Sequence, residues 1–152
     1  MMWRYSGWNP FATEELATES LREALAAYED PHFYAWIAEH DGAVVGTVSA
    51  YDYQSESKSA ELGISVAHSF WHQGFAGEAL LRMVAYLMDE ERLASVSVWC
   101  AEDNVASRKA LEHAGLTLRS TDPGGLEVDG HLYNRQNFLL TAAEWQAMPI
   151  HQ

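Results

Sequence analysis

One stretch, Glu61 to Glu90 (ELGISVAHSFWHQGFAGEALLRMVAYLMDE), constrains this chain more than any other. It opens as a strand, Glu61 to Val66. It passes through a small-residue turn, His72-Gln73-Gly74-Phe75-Ala76-Gly77, and continues as a helix from about Glu78 to Glu90. In that helix Ala79, Leu80, Met83, Val84 and Leu87 recur at spacings of three and four, which buries one face. A strand, a glycine-bearing turn and a helix start together make an anion site. Glycines let backbone approach a ligand, the free N–H groups of the first helical turn point at it, and the helix dipole adds partial positive charge. The same local pattern also serves as an ordinary strand-to-helix turn with no ligand.

A chain of 152 residues is long enough to bury a core and reads as one domain, residues 1–152. Its apolar content of 48%, with six tryptophans, argues for a folded chain rather than a disordered one. No apolar run approaches the ~20 residues that span a bilayer. The start, MMWRYSGWNPF, lacks the apolar core of a signal peptide. A single cysteine, Cys100, cannot form an internal disulfide. Together these suit a reducing cytoplasm, with no membrane partner. The net charge of −13 disfavours nucleic acid and favours cationic partners such as amines or basic peptides; acidity that serves only solubility is the other reading.

Thr13 to Tyr28 reads as a helix, with Thr13 as N-cap and Leu16, Leu21 and Leu25 on or near one face. Asp30-Pro31 ends it. Phe33 to Glu39 and Ala43 to Tyr51 are strands joined at Asp41-Gly42, a two-residue hairpin signal. Ser59 to Val66 is the next strand. Ala94 to Cys100 alternates as a strand. Asn104 to Ala114 is a short helix, capped by Asn104 and stopped by Gly115. Leu116 to Arg119 starts a strand, Asp122-Pro-Gly-Gly125 is a turn, and His131 to Leu140 is the last strand. Thr141 to Glu144 has the spacing of a capping box. The order is helix, hairpin, strand, helix, strand, helix, strand, strand: an α/β chain with a mixed sheet flanked by helices. The unit around the turn requires parallel strands.

Four blocks, in order, resemble the GNAT superfamily of acetyl-CoA-dependent N-acetyltransferases, and within it the ribosomal-protein N-terminal acetyltransferase subgroup (RimJ/RimL-type). They are Ala60 to Val66, Trp71 to Leu80, Asp103 to Arg108 with Ala110 to Leu116, and Leu126 to Tyr133. The superfamily motif begins with Gln or Arg three residues before its first glycine; here Trp71 stands there, as in the subgroup. Many members carry a tyrosine in the later conserved helix; here Leu111 holds that place, and Ser107 holds the subgroup's serine. Members also open with a further strand and helix. The resemblance therefore implies a shortened start, with Trp3 to Ser6 as a vestigial strand, a partner chain over the sheet edge, or a truncation.

The resemblance implies acetyl-CoA as co-substrate and no metal. It places the cofactor's diphosphate on the backbone of Gln73, Gly74, Phe75, Ala76, Gly77 and Glu78. It implies that the strand ending at Val66 and Ala67 splays from its neighbour, freeing backbone groups for the pantetheine amides and the acetyl carbonyl. Asn104 and Ser107, one turn apart, face the cofactor arm, although Asn104 also serves as an N-cap and Ser107 also reads as a solvated helical serine. Ser107 donates to the departing thiolate. Transfer to an amine needs a neutral nucleophile and a base. Glu61 is the candidate, because its apolar neighbours Leu62 and Ile64 favour partial burial; a surface carboxylate is the alternative. Tyr51, Asp52 and His68 are weaker candidates. Cys100 is read as packing rather than as an acetyl carrier, and His68 and His72 flank a turn rather than share a metal-binding helix face. Trp3, Tyr5, Trp8 and Phe11 are core or acceptor pocket.

The expected activity is direct acetyl transfer to a primary amine in a ternary complex. The acceptor is a protein N-terminal α-amine or a small cationic amine, and a homodimer is the expected assembly. A non-catalytic acyl-CoA-binding module and a dimerising structural subunit are the competing readings.

Overall fold

The computed structural model of the chain describes residues 13–151. The aromatic group from Trp3 to Phe11 and the Trp3 to Ser6 strand lie outside the described residues. Helix α1 (Glu14–Ala27) is capped by Thr13, whose hydroxyl accepts from the Leu16 amide at 3.2 Å. It buries none of its residues, and Leu16, Leu21 and Leu25 are all exposed. The hairpin β1 (Tyr34–His40) and β2 (Ala43–Gln54) turns at Asp41-Gly42, both at positive φ as a tight turn demands. Strand β3 (Ser59–Val66) has the bounds read from the sequence.

Helix α2 (Phe75–Ala85) begins at Phe75, three residues before the expected Glu78, and ends in a π-turn, Tyr86–Glu90. Strand β4 (Ser95–Ala101) follows, then α3 (Val105–His113), β5 (Thr117–Val128), β6 (His131–Thr141) and α4 (Ala142–Gln146). The Asp122 to Gly125 turn is a second correction. Strand β5 runs through it, and the register against β6 jumps between Asp122 and Leu126, so the proline and glycines form an irregularity inside a long strand. The capping box of α4 forms as the spacing predicts: Thr141 Oγ1 accepts from the Glu144 amide, and the Glu144 carboxylate accepts from the Thr141 amide.

The sheet has the order β1-β2-β3-β4-β6-β5. All neighbours are antiparallel except β3 and β4, the pair joined through α2. The core lies between the sheet and α2, with Leu80, Met83, Val84 and Leu87 fully buried, as their helical spacing requires. Val96, Val98, Phe138 and Leu140 supply the sheet side, and Leu111 of α3 completes it.

Candidate active site

The parallel pair is short. β3 and β4 are matched only at Ser59–Ser95, Ala60–Val96 and Glu61–Ser97. Both strands continue, to Val66 and Ala101, but without each other. They part after Glu61, and the backbone edges beyond that point face a gap. This is the splay expected for this strand.

A cavity of about 520 Å³ lies beside the gap. Its wall joins the end of β3 (Ile64, Ser65, Val66), the turn and start of α2 (Gly74 to Gly77), and one face of α3 (Asn104, Ser107 and neighbours). Of the residues expected to hold a cofactor, Val66, Gly74, Phe75, Ala76, Gly77, Asn104 and Ser107 come together there. Ala67, Gln73 and Glu78 do not line it.

Each of those three has a local reason. The Ala67 amide already donates to the Val45 carbonyl at 2.8 Å, so the expectation of a free donor there is corrected. The Gln73 side chain turns back to the Ser69 carbonyl. The Glu78 amide makes the first intrahelical bond, to the Gly74 carbonyl at 3.1 Å. Because α2 starts early, its free first-turn amides are those of Phe75, Ala76 and Gly77, not a set reaching to Glu78.

The N-cap of α2 is Gly74, at φ 82 and ψ 1, and it offers no side chain to those amides. Glycine adopts this left-handed geometry without penalty. Gly77 has a different role. A Cβ there would sit 3.0 Å from His113 Cδ2, so its small size lets α3 pack close against the start of α2. At α3 the arrangement is reversed: Asn104 Oδ1 accepts from the Ser107 amide at 3.1 Å and caps the helix.

Trp71 is a contributor that the sequence pattern flagged only as a departure. Its indole N–H donates to the Val66 carbonyl at 2.7 Å, tying the turn to the last residue of β3. It thereby holds the edge of the gap in place and occupies one lone pair of that carbonyl. Lys109 and His113 also line the cavity; their spacing of four on α3 was the available signal.

Glu61 lies outside the cavity wall. It belongs to the last matched pair before the strands part, opposite Tyr51 on β2 and Ser97 on β4. Its neighbours Ala60 and Leu62 are buried in the core, so alternation along the strand turns Glu61 to the other face of the sheet. Burial, with the Glu61 and Asp52 carboxylates nearby, pushes the Tyr51 phenol up to about 12. Tyr51 is therefore protonated near neutral pH, a donor and not the base. Asp52 and His68 are exposed. Cys100 is buried in the core, and burial pushes its thiol up to about 11, which suppresses the thiolate an acyl carrier needs. Among the described residues no group of His, Cys, Asp and Glu could hold a metal ion, and no helix is long and apolar enough to cross a membrane.

The gap, the uncapped helix end and the cavity between them are shaped and charged to suit a long, anionic-ended molecule. YdaF of Bacillus subtilis, provisionally named a ribosomal N-acetyltransferase, is 24% identical over 148 residues, covering 94% of this chain and 81% of its own. The FsC-acetyl coenzyme A-N(2)-transacetylase of Aspergillus fumigatus is 29% identical over 153 residues, 91% of this chain and 63% of that enzyme. The chain thus spans less than two thirds of the fungal protein. A crystal structure of spermidine N-acetyltransferase from Vibrio cholerae in complex with CoA and spermine shares the fold, with a TM-score of 0.82 at 15% identity, covering 95% of this chain and 84% of that one. The acetyltransferase (GNAT) domain family matches residues 1–117, from the start of the chain to the first residue of β5. A match over that span takes in both walls of the cavity, and the chain belongs to the GNAT acetyltransferases, enzymes dependent on acetyl-CoA.

Proposed function

We propose that the chain is a single catalytic domain that moves the acetyl group of acetyl-CoA directly to a primary amine in a ternary complex. The carrying observation is the parting of β3 from β4 beside the uncapped start of α2. The amides of Phe75, Ala76 and Gly77 take the diphosphate, as helix starts do for anions. The free edge of β3 up to Val66 takes the pantetheine amides and polarises the acetyl carbonyl. Asn104 orients the arm with the part of its hydrogen-bonding capacity that the cap leaves over.

The neutral amine attacks the thioester carbonyl. A C–N bond forms, the C–S bond breaks, and the amine proton passes to Glu61 directly or through water; the Ser107 hydroxyl donates a hydrogen bond to the departing thiolate, which takes its proton from solvent. The position of Glu61 at the vertex of the gap supports that role: the cofactor occupies one side and the acceptor can approach from the other. The acceptor is a protein N-terminal α-amine or a small cationic amine. A net charge of −13, the name of the Bacillus relative and the spermine in the Vibrio structure all favour a cation. A lone buried thiol suits a cytoplasmic setting. Among the described residues β1 is an edge strand of the sheet, with Ile37 exposed on it and Val44 exposed on the adjoining β2, which supports a homodimer that light scattering tests.

Mass spectrometry of a panel of peptides and polyamines after incubation with acetyl-CoA tests the reaction. Acetylation of at least one acceptor is expected. Glu61→Gln should lower kcat by about a hundredfold to ten-thousandfold, as loss of a general base does. Binding of acetyl-CoA without turnover on any acceptor would point to a module that only holds acyl-CoA.

A further inference from the structure

The chain carries 22 Asp and Glu residues, yet none lines the cavity. The ionisable side chains in its wall are His72, Lys109 and His113. An acidic protein that keeps its carboxylates out of one cavity and puts cations or proton-binding rings there has built an anion site.

Two of the three stand together. Lys109 and His113 are four residues apart on α3, hence on one face, and share the wall with the small Ala106, Ser107 and Ala110. The close packing at Gly77 brings the His113 ring to the third residue of α2. The pair therefore sits next to the open helix end without being part of it. That end supplies only about half a unit of positive charge. Its amides of Phe75, Ala76 and Gly77 are already committed to a diphosphate in the reading above. A phosphomonoester carries about −1.5 to −2 at neutral pH and calls for side-chain cations of its own.

We infer that Lys109 and His113 grip the phosphomonoester on the ribose of the cofactor, so that side chains of α3 select the phosphorylated nucleotide. This rests on the cavity being the acetyl-CoA site. Two ligands that differ only in that phosphate, CoA and dephospho-CoA, separate the two statements. By calorimetry the native chain should bind CoA about tenfold more tightly than dephospho-CoA, the scale of one or two charge-assisted hydrogen bonds. Lys109→Ala and His113→Gln should each weaken CoA by about fivefold and leave dephospho-CoA within about twofold. Lys109→Arg should keep the preference. Lys109 is exposed, so its variants test the grip without disturbing the packing at Gly77. Equal affinity of the native chain for both ligands, or equal losses for both in the variants, would overturn the grip and leave the acetyl-CoA reading standing. No binding of either ligand would overturn both.

Discussion

The starts of α2 and α3 border the same cavity and solve the same problem in opposite ways. Every helix begins with amides that have no partner inside it. At α3 the Asn104 side chain supplies one, accepting from the Ser107 amide at 3.1 Å. At α2 the cap is Gly74, and nothing from its side chain reaches the amides of Phe75, Ala76 and Gly77. The helices α1 and α4 follow α3, with Thr13 and Thr141 as side-chain caps. Among the described α-helices the uncapped start of α2 is thus the exception, and it lies where the fold leaves room for an anion. A glycine in place of a side-chain cap costs a helix only about a few tenths of a kcal/mol, which a phosphate can offset on binding.

The comparison breaks most sharply if charge is placed at the open end. Gly74→Asp keeps a residue that tolerates the left-handed region but sets a carboxylate before the free amides. Acetyl-CoA affinity by calorimetry should fall about a hundredfold, while the thermal midpoint changes little, because the left-handed strain of about 1 kcal/mol is offset by a carboxylate at the helix start. Unchanged affinity would mean that the diphosphate lies elsewhere. Ser107→Ala leaves the capped amide of α3 in place and removes only the hydroxyl. It should lower kcat about tenfold with little change in KM for acetyl-CoA, since the hydroxyl acts only as the thiolate forms. A change confined to KM would assign the hydroxyl to binding.

Asn104 separates capping from cofactor contact. Asn104→Ala should cost ~1 kcal/mol in urea unfolding, and Asn104→Ser should restore it. If the side chain also orients the cofactor arm, KM for acetyl-CoA rises in both variants, because a serine cap does not reach as far. The smallest effect reports how firmly α3 is seated. Burial raises the Cys100 thiol from 9.0 to about 11, with Arg108 of α3 opposing the shift and Glu112 adding to it. The native chain should resist iodoacetamide at pH 8. A group raised by folding stabilises fully below its unfolded value and loses that contribution as pH climbs through the folded one. The native chain should therefore lose stability relative to Cys100→Ala between about pH 9 and 11.

Much of this was legible in the residues because the signals are local. The bounds of β3, the Asn104 cap, the Thr141 to Glu144 box and the Asp41-Gly42 hairpin each follow from a few neighbouring side chains. The misreadings occurred where local signals compete with tertiary ones. Glycines at 74 and 77 suggested that the helix had not yet begun, but Gly74 serves as its cap and Gly77 lies inside it because His113 needs the space. Pro123 and two glycines suggested a turn, but pairing with β6 resumes beyond them and holds β5 as one interrupted strand. Ala67 looked free because no local pattern reveals that the antiparallel pairing of β3 with β2 continues one residue past Val66, to the Val45 carbonyl. The Leu16, Leu21 and Leu25 stripe of α1 is present as read, yet nothing among the described residues buries it.

By itself the sequence determined which segments are helix and strand, their order, and that a glycine-bearing turn opens a helix after the central strand. Those follow from backbone preference and from the period of apolar residues, which act within a turn or two. Only the tertiary structure decided that β3 and β4 part after Glu61, that Trp71 fastens Val66, and that α3 lies across Gly77 to close the cavity. Those depend on residues far apart in the chain meeting at van der Waals distance, and no local pattern encodes where two strands stop pairing.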